Sequence, residues 1–184
     1  GAQPMISQST RFVICYNGEV YNTEELKKKL LQNNIKTKGH SDTELILELC
    51  EIYGIKKVIQ KLIGMFAFAL YDRKQKKLFL CRDRLGIKPI YWSVLKNKDF
   101  IFSSELKPLK LHPNFCKIIN RNIISNYLRH GYIPAPYSIY ENVFKLEPGK
   151  ILEISKKNFN PKIQSFWNLQ DIVKERKFDK KRHE

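Results

Sequence analysis

The chain has no paired cysteines to offer. Its 184 residues include four, Cys15, Cys50, Cys81 and Cys116, and each falls in a different expected element. No C-x-x-C spacing occurs, which argues against a zinc ribbon or a thioredoxin-like motif. The scatter reads as reduced, mostly buried thiols and not as a disulfide framework. Long apolar runs are missing too: the longest, Met65–Tyr71, has the length of a strand, so no membrane-spanning helix and no signal peptide are expected. Acidic residues are scarce, 18 against 34 Lys plus Arg, for a formal charge of +16. Such a balance suits nucleic acid, but the cations are mostly lysine and dispersed, at 27–29, 56–57, 76–77, 156–157 and 180–182. No zinc-finger spacing, aromatic RNA-binding motif or Arg-rich helix accompanies them. The excess therefore reads as solvated surface, with no specific nucleic-acid partner.

What is present suits one domain. Hydrophobic residues make up 42%, with 11 Phe and 9 Tyr, enough for a single core. Phe12–Tyr16 reads as a strand. Asn22 is a candidate helix N-cap, with Glu25 placed to close a capping box; Leu26, Leu30 and Leu31 give that helix its apolar face, and Asn33-Asn34 end it. Ser41 and Glu44 repeat the device before a second helix with Leu45, Ile46, Leu49, Ile52 and Tyr53 on its buried face and Gly54 as its stop. A short third helix is expected within Ile55–Ile63. From Gly64 the period becomes that of strands, at Met65–Tyr71, Lys77–Arg82, Pro89–Val94 and Phe100–Ser103. Glu105–Leu111 reads as a helical turn interrupted at Pro108, and Asn120–Arg129 as a helix ended by Gly131. Ser138–Phe144 and Lys150–Ile154 are late strands, with a Pro148-Gly149 turn between them. After Lys156 charge dominates, with Phe166-Trp167 as an anchor, and Asp171–Glu184 reads as linker or tail. Helices grouped early and strands later make the class α+β.

The segment Tyr16-Asn17-Gly18-Glu19-Val20-Tyr21-Asn22 carries the chemistry. Taken alone, Asn-Gly is a strong hairpin signal. The same pair can also aim an Asn side-chain NH₂ and a Gly N–H at one oxygen, because glycine lets the backbone approach without a Cβ. An amide carbonyl under nucleophilic attack needs such donors as charge builds on its oxygen. Ser41-Asp42-Thr43-Glu44 follows, then Gly64–Asp72, then Arg82-Asp83-Arg84-Leu85-Gly86-Ile87-Lys88-Pro89. In this order the segments resemble the glutamine-hydrolysing domain of asparagine synthetases, a class II (N-terminal-nucleophile) glutamine amidotransferase domain. Tyr132-Ile133-Pro134-Ala135-Pro136 resembles that branch in particular, and the likeness spans about Gly1–Lys150.

The resemblance implies an incomplete four-layer αββα sandwich, with residues 1–155 as a partial amidotransferase domain and 156–184 as a linker or tail towards a synthetase domain outside the chain. It implies that Asn17 and Gly18 form an oxyanion hole, and that Asp42, with Glu19 nearby, holds the α-ammonium of L-glutamine. Asp42 also opens a helix, where the dipole alone favours a carboxylate by ~0.3–1 kcal/mol. Glu44 is assigned to the capping box, Arg82-Asp83 with Gly86 and Pro89 to a salt-bridged structural turn, and Ser103-Ser104-Glu105 to a strand-to-helix junction. Members of the family start with a catalytic cysteine, whereas this chain opens Gly1-Ala2-Gln3-Pro4-Met5, and Cys15 lies within a strand. The nucleophile, and an arginine for the glutamine carboxylate, are thus expected outside this chain, which by itself is expected to be inactive. No metal and no cofactor is expected in it. ATP and Mg go with the ATP-pyrophosphatase synthetase domain, whose Ser-Gly-Gly-x-Asp loop does not occur here. L-Glutamine and that domain are the expected partners, a homodimer stays open, no membrane contact is expected and the setting is cytoplasmic. The alternatives are a non-catalytic glutamine-binding or scaffolding module, or an amidotransferase with another acceptor.

Overall fold

In the computed structural model, which describes residues 2–175, the strands are β1 (Met5–Ile6), β2 (Phe12–Val20), β3 (Gly64–Asp72), β4 (Lys77–Arg82), β5 (Tyr91–Val94), β6 (Phe100–Ser103), β7 (Phe144–Lys145), β8 (Lys150–Ser155) and β9 (Asn158–Ser165). The helices are α1 (Thr23–Leu31), α2 (Asp42–Tyr53), α3 (Ile55–Ile59), α4 (Leu106–Leu109), α5 (Ile124–His130) and α6 (Leu169–Glu175). Two antiparallel sheets form: one of six strands ordered β1-β2-β3-β4-β8-β9, and one of three ordered β6-β5-β7.

The period of two along each strand sorts the core into layers. On one face of the large sheet, Phe12, Ile14 and Tyr16 of β2, Phe66, Phe68 and Leu70 of β3, and Phe79 and Cys81 of β4 pack under α1, α2 and α3. The alternate residues Ala67, Ala69, Leu80 and Leu152 meet Trp92, Phe100, Phe102 and Phe144 of the small sheet. Trp92 lies 4.9 Å from the Phe144 ring and 6.1 Å from that of Phe100. The next parity step puts Tyr91 and Ile101 on the outer face, against Leu106, Leu109, Phe115 and Tyr140. Helix, sheet, sheet and helix thus stack as the four αββα layers that the resemblance implies. Among the described residues no helix is long and apolar enough to cross a membrane.

Several local expectations are corrected. β2 does not stop at Tyr16: it runs through Asn17-Gly18 to Val20, with Asn17 opposite Ala67 and Gly18 opposite Phe66, so the pair is neither a strand end nor a hairpin. Asn22 sits at the N-cap position of α1 without capping it; its side chain donates to the Lys61 carbonyl at 3.0 Å and accepts from the Ile63 N–H at 3.0 Å. Leu31 is exposed. Only half of the second capping box exists. Ser41 Oγ accepts from the Thr43 N–H at 3.1 Å, while Glu44 turns away to the Lys38 and Gly39 amides at 2.7 and 2.8 Å. Pro108 does not interrupt α4, because it lies in the first turn, where an N–H has no helical acceptor. The strand expected at Ser138–Phe144 shrinks to an Ile119–Tyr140 bridge followed by β7.

The largest correction is at the C-terminal side. A boundary at residue 155 cuts a hairpin, because β9 pairs with β8 from Lys150–Ser165 to Ser155–Asn158. β9 is almost wholly exposed and carries Pro161, which an edge strand tolerates and a central one does not. Phe166 then packs on the core. α6 takes up the start of the expected tail, and residues 176–184 lie outside the described residues.

Candidate functional site

The candidate site lies where β2 outruns its neighbour. β1 pairs only as far as Met5–Ile14. One step further, the Gln3 side chain imitates another strand residue: its Oε1 accepts the Tyr16 N–H at 2.6 Å and its Nε2 donates to the Tyr16 carbonyl at 2.9 Å. Two residues on from Gly18, the Val20 N–H donates to Asp42 Oδ2 at 3.1 Å. Backbone N–H groups alternate sides along a strand. Tyr16 and Val20 both point away from β3, so Gly18 between them does too. On the other side the Phe66 N–H and carbonyl are taken by Asp83, so Gly18 and Phe66 form a non-hydrogen-bonded pair. The Gly18 N–H is therefore aimed off the free edge of β2. A Cβ at Gly18 would collide with the Met65 carbonyl and stand 2.6 Å from the Phe66 Cα, at a φ of +153°. Close approach thus requires glycine here.

Asn17 faces the gap between the sheets together with Cys15, at the rim of a cavity of about 230 Å³ that Gln3, Phe102, Ser103 and Ser104 also line. Asn17 Nδ2 reaches Ser104 Oγ at 3.4 Å, a long and exposed contact. Its donor capacity is therefore largely free. Glu19 shares the Asn17 face of β2 and is exposed, and no hydrogen bond or ion pair links it to Asp42 among the described residues. Asp42 approaches from the other face, on the first turn of α2. Its Oδ2 accepts both the Tyr16 hydroxyl, at 2.8 Å, and the Val20 N–H. Burial first, then the hydrogen bond and charge of Asp42, push the Tyr16 phenol well up from its ordinary value, so it stays a donor.

The four thiols divide. Cys50 and Cys81 are fully buried, and burial pushes both well up. Partial burial also pushes the Cys15 thiol up from its ordinary value, which works against thiolate formation. Cys116 lines a separate cavity with Phe115 and Val143. No group of three or more His, Cys, Asp or Glu side chains among the described residues is placed to hold a metal ion.

The Arg82-Asp83 turn is structural, but no salt bridge joins the two side chains. The buried Arg82 guanidinium donates to the carbonyls of Lys88 at 2.9 Å, Leu146 at 2.5 Å and Gly86 at 2.6 Å. Asp83, fully buried, accepts from the amides of Phe66, Leu85, Ile87 and Lys88 at 2.9–3.3 Å. Sequence reasoning passed over three residues at the edge: Gln3, Tyr16 and Ser104. The signal for Ser104 is present, since Ser103-Ser104-Glu105 reads as a strand-to-helix junction. Gln3 and Tyr16 gave none, because what matters there is a side chain acting as backbone and a hydroxyl reaching another element.

With this geometry in view, similarity to known proteins is extensive. A family model described as a glutamine amidotransferase domain matches residues 1–167. A putative glutamine-hydrolysing asparagine synthetase 2 of Methanocaldococcus jannaschii is 40% identical over 163 residues, 86% of this chain and 30% of that protein. The glutamine-hydrolysing asparagine synthetase 2 of Bacillus subtilis is 37% identical over 178 residues, 94% of this chain and 23% of that protein. The chain thus spans less than a third of the length of these curated relatives. Among solved structures, the B. subtilis glutamine phosphoribosylpyrophosphate amidotransferase superposes with a TM-score of 0.64 at 19% identity, covering 90% of this chain and 32% of that one. A class II glutamine aminotransferase domain protein of Silicibacter pomeroyi gives 0.51 at 16% identity, covering 86% and 69%. At those identities the likeness is one of fold.

Proposed function

The chain belongs to the glutamine amidotransferase domain family, and from that premise we propose that the free edge of β2 takes up L-glutamine. The side-chain carbonyl lies towards Asn17 Nδ2 and the Gly18 N–H, and the α-ammonium lies towards Asp42 with Glu19 nearby. The observation that carries this reading is the Gly18 N–H, aimed off the sheet edge between two neighbours whose N–H groups are both taken. Donors held in place before the reaction stabilise an oxyanion at no reorganisation cost, and losing one typically costs ~10²–10³ in rate.

In a longer protein such as the relatives, the released ammonia would serve an ATP- and Mg-dependent synthetase region. Their names support aspartate as the acceptor. Neither ATP nor Mg is assigned a place in this chain. A cytoplasmic setting goes with the reading, and the four free thiols support it. None of those thiols is activated beside Asn17, so the 184-residue chain alone binds glutamine without turning it over. Calorimetric titration tests this: L-glutamine should bind, Asp42→Asn should weaken it at least about tenfold, and no ammonia should be released. Ammonia release by the purified chain would overturn its expected inactivity, and an affinity indifferent to Asp42→Asn would sink the assignment.

A further inference from the structure

We propose that Tyr16 is a positioning residue which clamps the Asp42 carboxylate by one oxygen and leaves the other for a ligand's cationic group. The cationic group in question is the α-ammonium of L-glutamine, so this part rests on the reading above. Both anchors of Asp42, the Tyr16 hydroxyl at 2.8 Å and the Val20 N–H at 3.1 Å, converge on Oδ2. Oδ1 accepts no hydrogen bond among the described residues, and Asp42 is only half-buried. One oxygen is thus engaged and the other is open.

The clamp is rigid because its base is rigid. Tyr16 is 9% exposed, packs against Phe68 with ring centroids 6.2 Å apart, and is held through both its backbone groups by Gln3. Asp42 stands on the first turn of α2, where an unclamped carboxylate is free to swing towards its own helix N–H groups. Ser41 already caps that helix through the Thr43 N–H, so α2 does not need Asp42 as a cap. The Tyr16 hydroxyl and the Val20 amide instead draw the carboxylate over to β2. A carboxylate fixed in direction before binding loses less freedom when it pairs with an ammonium.

Tyr16→Phe keeps the ring and removes only the hydroxyl. Hydrogen exchange of the free chain should show the Val20 amide exchanging about tenfold faster in Tyr16→Phe, with the other β2 amides unchanged. Calorimetry should show L-glutamine binding weakened about tenfold. Binding of glutaramic acid, the same molecule without its α-amine, should be equal in both proteins. An unchanged Val20 amide overturns the clamp, and so does equal weakening of both ligands. Unaltered glutamine affinity in Tyr16→Phe, with Asp42→Asn weakened, overturns the positioning role and keeps the glutamine reading. A wild-type chain that takes up no glutamine, with the Val20 amide still accelerated in Tyr16→Phe, overturns the glutamine reading and supports the clamp.

Discussion

The Arg82-Asp83 turn and the Asn17–Asp42 edge are both built from polar groups at the ends of central strands, and they meet back to back on Phe66. Asp83 holds the Phe66 N–H and carbonyl from one side, while Gly18 lies against the same residue from the other. In the turn, four amides converge on Asp83 and three carbonyls on Arg82. At the edge, Asn17 has one 3.4 Å contact, the Gly18 N–H is aimed away from the sheet and Asp42 has an oxygen free. Saturated polar groups in a dry place fix a backbone. Groups held still with capacity left over can do work on a ligand. The turn makes the edge still, because β3 carries its rigidity across one strand.

Removing the saturated centre should have the largest effect. Asp83→Ala orphans amides in and around the core and is expected to cost about 3–5 kcal/mol, read as a urea midpoint shift at unchanged slope. A loss below about 1 kcal/mol would mean that water replaces the carboxylate and that the turn does not support β3. Gly18→Ala strikes the junction of the two centres. The new methyl meets backbone on β3 and not a yielding side chain, so about 1–3 kcal/mol should go. A neutral result would show that β2 can slide off Phe66, and the edge would then be less fixed than its neighbours suggest.

These two centres were not equally legible in the sequence. The turn announces itself, since Arg-Asp with a glycine at fixed offset implies a stapled loop; what sequence hides is that the partners are backbone groups and not each other. The large-sheet core was readable too, because Phe66, Phe68 and Leu70 alternate with the alanines that make room for Trp92. β9 was invisible. An edge strand with solvent on most of its residues carries no apolar period, and its place is set by pairing with β8. At the edge, Asn17, Gly18 and Asp42 stood out by residue type. Tyr16 reads only as the last residue of a strand, and nothing local reveals that its hydroxyl spans 26 residues of sequence to Asp42.

A third polar centre falls between the two extremes. Asp72, buried, takes the Arg11 guanidinium at 2.7 Å and the Lys74 and Gln75 amides at 2.9 and 3.0 Å. Burial alone would push its carboxyl up, but the Arg11 hydrogen bond and charge, with the two amides, outweigh it and hold the group below its ordinary value. The unfolded chain therefore binds a proton more readily than the folded one. The stabilisation is complete above the unfolded pKa of about 4 and is lost as pH falls through the folded value. Arg11→Ala should cost about 1–2 kcal/mol at pH 7 and flatten the decline in stability below about pH 4. An unchanged slope in acid would assign that decline to other carboxylates.

The smallest effect on stability is expected where the most chemistry is proposed. Asn17→Ala removes one long contact to Ser104 and leaves no buried group without a partner, so stability should stay within about 0.5 kcal/mol of the starting chain. L-Glutamine affinity should also barely move, because an oxyanion donor gains its full partner only when charge develops on the carbonyl. The contrast with Asp83→Ala is then a difference of several kcal/mol between two polar residues that flank β3 from opposite sides. Thermal melts and calorimetry of the two variants side by side measure it. A loss above about 1 kcal/mol in Asn17→Ala would mean that the Ser104 contact ties the two sheets together. Asn17 would then belong with the staples, and the Gly18 N–H would stand alone as the free donor of the edge.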